Sequence, residues 1–165
     1  MVTSPPSQRV ADAARALGLE IEVREFPEGT RTAEDAAAAI GVDVGQIVKS
    51  LVFFVDGRPV LCLVSGLNRL DTQRLAIVAG ASAGLPAGRQ VRRARADEVE
   101  RATGFAIGGV PPFGHTQRLP VYCDRDLMTY DLVWAAAGTP RAVFAVEPQR
   151  LVQACRATVA DLKEE

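Results

Sequence analysis

Hydrophobic and polar positions alternate with different periods along the chain, and these periods predict a mixed α and β fold. Residues 20–26 alternate in the manner of a half-buried strand. Residues 46–55 and 59–66 are apolar at nearly every position, which is typical of strands covered on both faces. Asp56-Gly57 between these two runs is a strong hairpin signal. We therefore expect a central β-hairpin.

Capping residues mark the predicted helices. Ser4 precedes a proline-led first turn whose helix ends at Gly18, and Thr32 precedes an alanine-rich helix that ends at Gly41. Further helices are predicted over 71–79, 96–103 and 148–162, the last of them amphipathic. Further short strands are predicted over 91–95, 119–124, 130–138 and 141–146. The fold class is therefore α+β, with a mixed, largely antiparallel sheet of about six or seven strands and helices around it.

The composition indicates how the chain is organised, but it says less about the chemistry of the protein. The 165 residues fit a single domain spanning 1–165, and 48% hydrophobic with 24% charged residues is ordinary for a globular protein. No segment resembles a secretory leader or a membrane span. The three cysteines lack metal-binding spacing, and Cys62 lies within an apolar run typical of a buried core thiol. We expect a cytoplasmic protein without disulfides, metal or membrane contact.

The charge pattern allows only a local nucleic-acid contact. A net charge of −1 does not suit a protein that coats nucleic acid non-specifically. Four arginines within seven residues could contact phosphates if they share a face, or could form a solvated edge segment. They are Arg89, Arg92, Arg93 and Arg95.

Lys49 is an unusual residue in this composition, because the chain has 17 arginines and two lysines. In an extended strand it shares one side with Ile47 and Leu51. An ammonium on an apolar face is costly unless it is paired or reaches water. Lys49 therefore either reaches solvent from the start of the strand or lines a pocket for an anionic or electron-rich group.

The stretch GFAIGGVPPFGH, residues 104–115, contains four glycines and two prolines and ends at the single histidine of the chain. It could be an ordinary turn, or a loop whose main-chain N–H groups face a ligand without an intervening Cβ. His115 could act as a general base, bind RNA or hydrogen-bond the loop.

Four stretches in this order resemble the YbaK/EbsC family, also called the YbaK/prolyl-tRNA synthetase-associated domain. They are EGTRTAEDAA, QIVKSLVFFVDG, GFAIGGVPPFGH and VYCDRDLMTYDLVWAAAG. The most specific elements are the strand dipeptide Lys49-Ser50 and the GGxxPxG loop of residues 108–114. The resemblance spans roughly residues 20–160.

The resemblance implies a free-standing aminoacyl-tRNA deacylase that hydrolyses mischarged tRNA, typically tRNA(Pro), in trans and without a metal or other cofactor. It also implies a mixed sheet curled into a partial barrel. In the family, the lysine that matches Lys49 is needed for activity and lies by the 3′ end of the tRNA, while the glycine-rich loop borders the aminoacyl pocket. The implied partners are aminoacyl-tRNA and a prolyl-tRNA synthetase.

Carried onto this chain, the resemblance implies a role for each matching residue. Lys49 would hold the terminal phosphate or ribose, and Ser50 would position the ester. Main-chain N–H groups of three loop glycines would face the carbonyl oxygen; they are Gly108, Gly109 and Gly114. Ile47, Val110, Pro112 and Phe113 would shape a small apolar pocket near His115. The four arginines would follow the acceptor stem.

Departures from the family pattern leave the amino acid open. Cysteine-specific members usually lack a histidine where His115 stands, and the NxHPLxN-like stretch of alanine-editing members is absent. Serine, threonine, alanine, cysteine or a nonprotein amino acid all fit a small pocket. Two other functions remain open: a noncatalytic module that binds aminoacyl-tRNA or a partner, and a hydrolase of small acyl esters.

Overall fold

Five α-helices and eight β-strands lie within residues 4–27, 32–82 and 90–165, the part of the chain that the computed structural model describes. The helices are α1 (Pro5–Ala16), α2 (Ala33–Ile40), α3 (Thr72–Ser82), α4 (Ala96–Thr103) and α5 (Pro148–Cys155). The strands are β1 (Arg24–Glu25), β2 (Val48–Val55), β3 (Arg58–Ser65), β4 (Val91–Arg93), β5 (Val121–Asp124), β6 (Val133–Ala136), β7 (Ala142–Val146) and β8 (Thr158–Ala160). Short 3-10 helices precede β2 and follow β5. Within this described part, no helix has the length and apolarity needed to cross a membrane.

The strands form two sheets and confirm the mixed α+β class. One sheet has the order β4-β2-β3-β5-β8, and the other has the order β1-β7-β6. β2 is antiparallel to β3 and β4, whereas β5 runs parallel to β3 and β8. A single-residue bridge between Ile47 and Trp134 connects the sheets. The architecture is thus two joined sheets, which are not closed into a barrel.

Local sequence signals place the helix ends and the hairpin correctly. The Ser4 hydroxyl accepts a hydrogen bond from the main-chain N–H of Ser7, and the Thr32 hydroxyl caps α2 in the same way. Gly41 ends α2 in the left-handed conformation. Asp56 and Gly57 both have positive φ, 49° and 81°, as a tight hairpin turn between β2 and β3 requires.

Several predicted elements are shorter than the hydrophobic pattern suggests, among them the first strand and the closing helix. Of residues 20–26, only Arg24–Glu25 pairs as a strand, at the edge of the smaller sheet. The closing helix stops at Cys155 because Arg156 takes the left-handed conformation, with φ 53°. The chain then forms β8, which pairs with β5 and buries Ala160 and Leu162. Burial of these two side chains against the sheet favours a strand over a longer helix.

The two faces of β2 belong to different hydrophobic clusters, as its continuous apolar run predicts. Val48 and Val52 pack in the larger cluster, which includes Phe105 and Phe144. Leu51, Phe53 and Val55 lie on the other face, against a cluster that includes Cys62, Leu75 and Leu162. Cys62 is fully buried, which confirms the predicted core thiol. Lys49 lies on the side of Leu51 and Phe53, and Ser50 lies on the side of Val48 and Val52.

Gly109 lets the glycine-rich loop contact the β6–β7 turn directly. Its carbonyl oxygen accepts a hydrogen bond from the N–H of Gly138, at 3.0 Å. A Cβ on Gly109 would lie 2.7 Å from Cα of Thr139 and 2.8 Å from the carbonyl oxygen of Gly138. Both neighbours are main-chain atoms that cannot rotate away.

Gly109→Ala should therefore destabilise the protein by overlap, at about 2–3 kcal/mol for an overpacked site. Gly18→Ala is the matched control: its Cβ would meet nothing within 4 Å, so it should lose only about 1 kcal/mol for placing a side chain at φ 81°. Urea denaturation of both variants measures the difference. A loss at Gly109 no larger than that at Gly18 would show that the loop moves away freely.

Candidate functional site

An open cleft of about 440 Å³ lies at the start of β2, where the two sheets meet. Its walls come from six parts of the chain that are distant in sequence. They are the first turn of α2, residues 47–51, Gly66, Arg93 of β4, the glycine-rich loop, and β6 and β7 with the turn between them. The bridge between Ile47 and Trp134 holds the two sheets together at the base of this cleft.

Lys49 is a partly buried lysine in the cleft wall. Its Nζ donates a hydrogen bond to the main-chain carbonyl oxygen of Asn68. Burial lowers the pKa of Lys49, and the negative charges of Glu34 and Asp124 oppose this effect, whereas Arg93 and Arg69 add to it. Lys49 thus lies near the start of β2 and borders the cleft.

Ser50 also borders the cleft, and its hydroxyl is buried there. The Oγ atom has no hydrogen-bond partner among the residues that the structure describes. A buried hydroxyl without a partner is destabilising, and such groups are uncommon in folded proteins. The side chains of Lys49 and Ser50 leave opposite faces of β2, and both residues border the cleft.

The structure does not bring the three loop glycines together. Gly108, with φ 89°, borders the cleft beside Val110. The N–H of Gly109 donates to the carbonyl oxygen of Ala106 at 3.0 Å, so this donor is already used within the loop. Gly114 lies in a second cleft. Three glycine N–H groups were expected to face one carbonyl oxygen. Of these three glycines, only Gly108 lines the Lys49 cleft.

His115 lines that second cleft, of about 380 Å³, together with Pro112, Phe113 and Cys155. Its Nε2 lies 2.7 Å from the carbonyl oxygen of Pro111, and since a carbonyl only accepts, Nε2 donates. Burial lowers the pKa of His115. Phe113 is buried against Phe144, with ring centroids 5.6 Å apart. His115 thus hydrogen-bonds the loop, and neither Pro112 nor Phe113 is among the residues lining the Lys49 cleft.

The basic segment does not form one charged face. Arg92 makes two 2.8 Å hydrogen bonds to Glu98, and its guanidinium lies 4.4 Å from the centre of the Phe54 ring. Arg95 pairs with Asp97 and Glu98 on α4. Arg93, the next residue along β4, lines the Lys49 cleft instead. Arg89 lies outside the described residues.

Two cleft residues and the hydrogen-bond partner of Lys49 were not identified as functional from the sequence. Glu34 was interpreted only as an acidic residue favouring the first helical turn, and Trp134 as a strand residue. The sequence gives no indication of a role for Asn68, because it binds Lys49 through its main-chain carbonyl oxygen. All three positions depend on contacts between distant segments, and no local pattern reports such contacts.

The cleft combines ammonium and guanidinium groups, one carboxylate, an unpartnered hydroxyl and an apolar wall. The charged members are Lys49, Arg93 and Glu34, and the apolar members include Ile47 and Val110. This set suits a ligand that carries an anionic group, a polar linkage and a small side chain. Within the described residues, no three His, Cys, Asp or Glu side chains come together as candidate metal ligands.

Three known proteins are similar to this chain in sequence or in structure. A crystal structure described as “a putative trans-editing enzyme for prolyl tRNA synthetase” is 49% identical, with a TM-score of 0.88 over 99% of this chain and 100% of that one. The “Putative Cys-tRNA(Pro)/Cys-tRNA(Cys) deacylase EbsC” of Enterococcus faecalis (strain ATCC 700802 / V583) is 24% identical over 83% of this chain and 80% of its own.

A proline–tRNA ligase of Nitratidesulfovibrio vulgaris (strain DP4) is 33% identical over 127 residues, which make up 76% of this chain and 20% of the ligase. The three matches confirm the resemblance to the YbaK/EbsC family. The model of the aminoacyl-tRNA editing domain matches residues 27–154, and this chain therefore belongs to the aminoacyl-tRNA editing domain family.

Proposed function

We propose that this protein is a trans-editing deacylase that hydrolyses the ester of mischarged aminoacyl-tRNA, with tRNA(Pro) as its tRNA. The observation that carries the proposal is a cleft bordered both by Lys49 and by Ser50, whose buried hydroxyl has no hydrogen-bond partner among the described residues. The match to one fifth of a proline–tRNA ligase supports a link to the product of that enzyme.

Lys49 anchors the 3′ end of the tRNA. An ammonium has three donors, and the Asn68 carbonyl accepts one of them. The others are available to a phosphate or ribose oxygen of the terminal nucleotide. Arg93, on the same cleft, adds positive charge for the phosphate backbone.

The ester lies against Ser50 and Gly108, which orient it for attack. Water adds to the carbonyl carbon, the carbonyl oxygen becomes an oxyanion, and collapse of this intermediate breaks the bond to the ribose oxygen. The proton that the water loses replaces the acyl group on the ribose oxygen, so the products are the free amino acid and uncharged tRNA. Positioning and donors to the oxyanion supply most of the rate increase for such an activated ester.

Glu34 binds the α-ammonium group of the aminoacyl ester. The substrate carries an α-ammonium beside its ester, and Glu34 is the carboxylate at the lip of the cleft. The side chain of the amino acid contacts the wall that Ile47 and Val110 form. A small apolar wall discriminates weakly by size, so serine, threonine, alanine and cysteine are the substrates to compare.

Lys49→Met should reduce deacylation by about 100-fold or more, because it removes the anchor that orients the ester. Arg150→Met is the matched control, since it removes a cation that pairs with Glu147 on α5 and does not line the cleft. The assay follows release of each of the four amino acids from tRNA(Pro), tRNA(Ala) and tRNA(Cys). Wild-type rates in Lys49→Met would refute the assigned role, and tight binding of charged tRNA without any hydrolysis would indicate a noncatalytic module.

Glu34→Gln should selectively remove recognition of the α-ammonium. The wild-type protein should hydrolyse an aminoacyl-tRNA at least about tenfold faster than its N-acetylated form, and the variant should hydrolyse the two at similar rates. Asp35→Asn, in the same helical turn but not among the cleft-lining residues, should keep the wild-type ratio. Equal rates for both substrates in the wild-type protein would exclude this role of Glu34.

A further inference from the structure

A buried carboxylate lies behind the Lys49 anchor. Asp124, the last residue of β5, is 1% exposed. Its carboxylate accepts hydrogen bonds from the N–H of Ser65 at 3.1 Å, from Nδ2 of Asn68 at 2.8 Å and from the N–H of Asp126 at 3.0 Å. All three donors are uncharged amides. Asp124 is therefore a buried charge that is solvated by neutral groups.

Asn68 connects this carboxylate to Lys49. Its side-chain amide donates to Asp124 and, at 2.9 Å, to Asp126, while its main-chain carbonyl accepts from Lys49 Nζ. The same turn is held at its other end, where the Ser65 hydroxyl donates to the carbonyl oxygen of Gly45 at 2.8 Å. The carbonyl that holds the ammonium is thus fixed by hydrogen bonds to β5 and to the segment before β2.

The negative charge of Asp124 has an effect beyond the turn itself. Burying a carboxylate is costly, and a neutral acceptor could also bind amide donors. The charge of Asp124 raises the pKa of Lys49, as does Glu34 from α2, whereas Arg93 of β4 and Arg69 of the turn lower it. Asp124 therefore opposes, together with Glu34, the lowering of the Lys49 pKa by burial.

Resting on the proposed function, we propose that Asp124 is a positioning residue for catalysis: it fixes the turn of residues 65–68 and keeps the Lys49 ammonium charged and directed at the substrate cleft. Asp124 touches no substrate and acts through Asn68 and Lys49. The loss of Asp124 should therefore change two properties that can be measured separately. They are the position of the Lys49 ammonium and its charge.

The charge is measured directly, because the chain has only two lysines, Lys49 and Lys163. In the full-length protein labelled with ¹³C-lysine, Lys163→Arg assigns the remaining side-chain signal to Lys49. Asp124→Asn should move the titration midpoint of Lys49 to lower pH, since removal of the negative charge disfavours the ammonium. The alkaline limb of kcat/KM for deacylation, corrected for uncatalysed hydrolysis, should move in the same direction.

The position is measured by Asn68→Ala, which cuts the link to Asp124 but keeps the main-chain carbonyl and the buried charge. It should lower kcat/KM by on the order of tenfold, with a smaller change in the titration of Lys49 than Asp124→Asn produces. Arg74→Ala is the control, because it breaks the ion pairs with Asp161 and Glu165 near the chain end and makes no contact with Asn68. It should leave both readouts unchanged.

The proposal is overturned if Asp124→Asn leaves the Lys49 titration and the pH profile as they are in Arg74→Ala, or if Asn68→Ala keeps the wild-type kcat/KM. If Asp124→Asn does not fold, Asn68→Ala decides the question alone. Failure of the proposed function gives a different result: the wild-type protein hydrolyses no mischarged tRNA, while the titration of Lys49 still reports its coupling to Asp124.

Discussion

Two strand pairings, β2 with β3 and β3 with β5, set the geometry on which the cleft depends. The antiparallel register of β2 and β3 pairs Val48 with Ser65 and Lys49 with Val64, so the lysine lies beside the turn that follows β3. The parallel register of β3 and β5 pairs Leu63 with Cys123, which brings the end of β5 to the same turn. A slip of one residue in either pairing would turn the side chains to the opposite face and separate the ammonium from its carbonyl partner.

The cleft maintains a charged lysine in a place where burial disfavours the charge. Burial, Arg93 and Arg69 all lower the pKa of Lys49, and only the carboxylates of Glu34 and Asp124 oppose them among the contributions identified. These two carboxylates have different surroundings. Glu34 is exposed and can exchange water for a substrate ammonium, whereas Asp124 is buried and bound to amides. Glu34 is therefore suited to contact with the ligand, whereas Asp124 is suited to a fixed electrostatic effect on Lys49.

The sequence predicts those features that depend on local interactions. Ser4, Thr32 and Gly41 mark helix ends because capping is satisfied within a few residues, and Lys49 stands out because an ammonium interrupts an apolar strand. Arg156 ends α5 by a backbone conformation that no residue type at that position signals. The close contacts of Gly109 were also hidden, since they depend on which main-chain atoms fold against it. For His115 the sequence left a loop hydrogen bond open among three roles, and only the fold shows the Pro111 carbonyl as its partner.

The central claim is that the aminoacylated 3′ end binds in the Lys49 cleft and not in the cleft beside His115. It is tested most directly by a crystal structure with an adenosine whose 3′-linked amino acid is joined by an amide, which cannot be hydrolysed as an ester. We expect the amide linkage to lie against Ser50 and Gly108, with the ribose or a phosphate within hydrogen-bond reach of Lys49 Nζ. An aminoacyl group seated against His115 and Phe113 would contradict the claim.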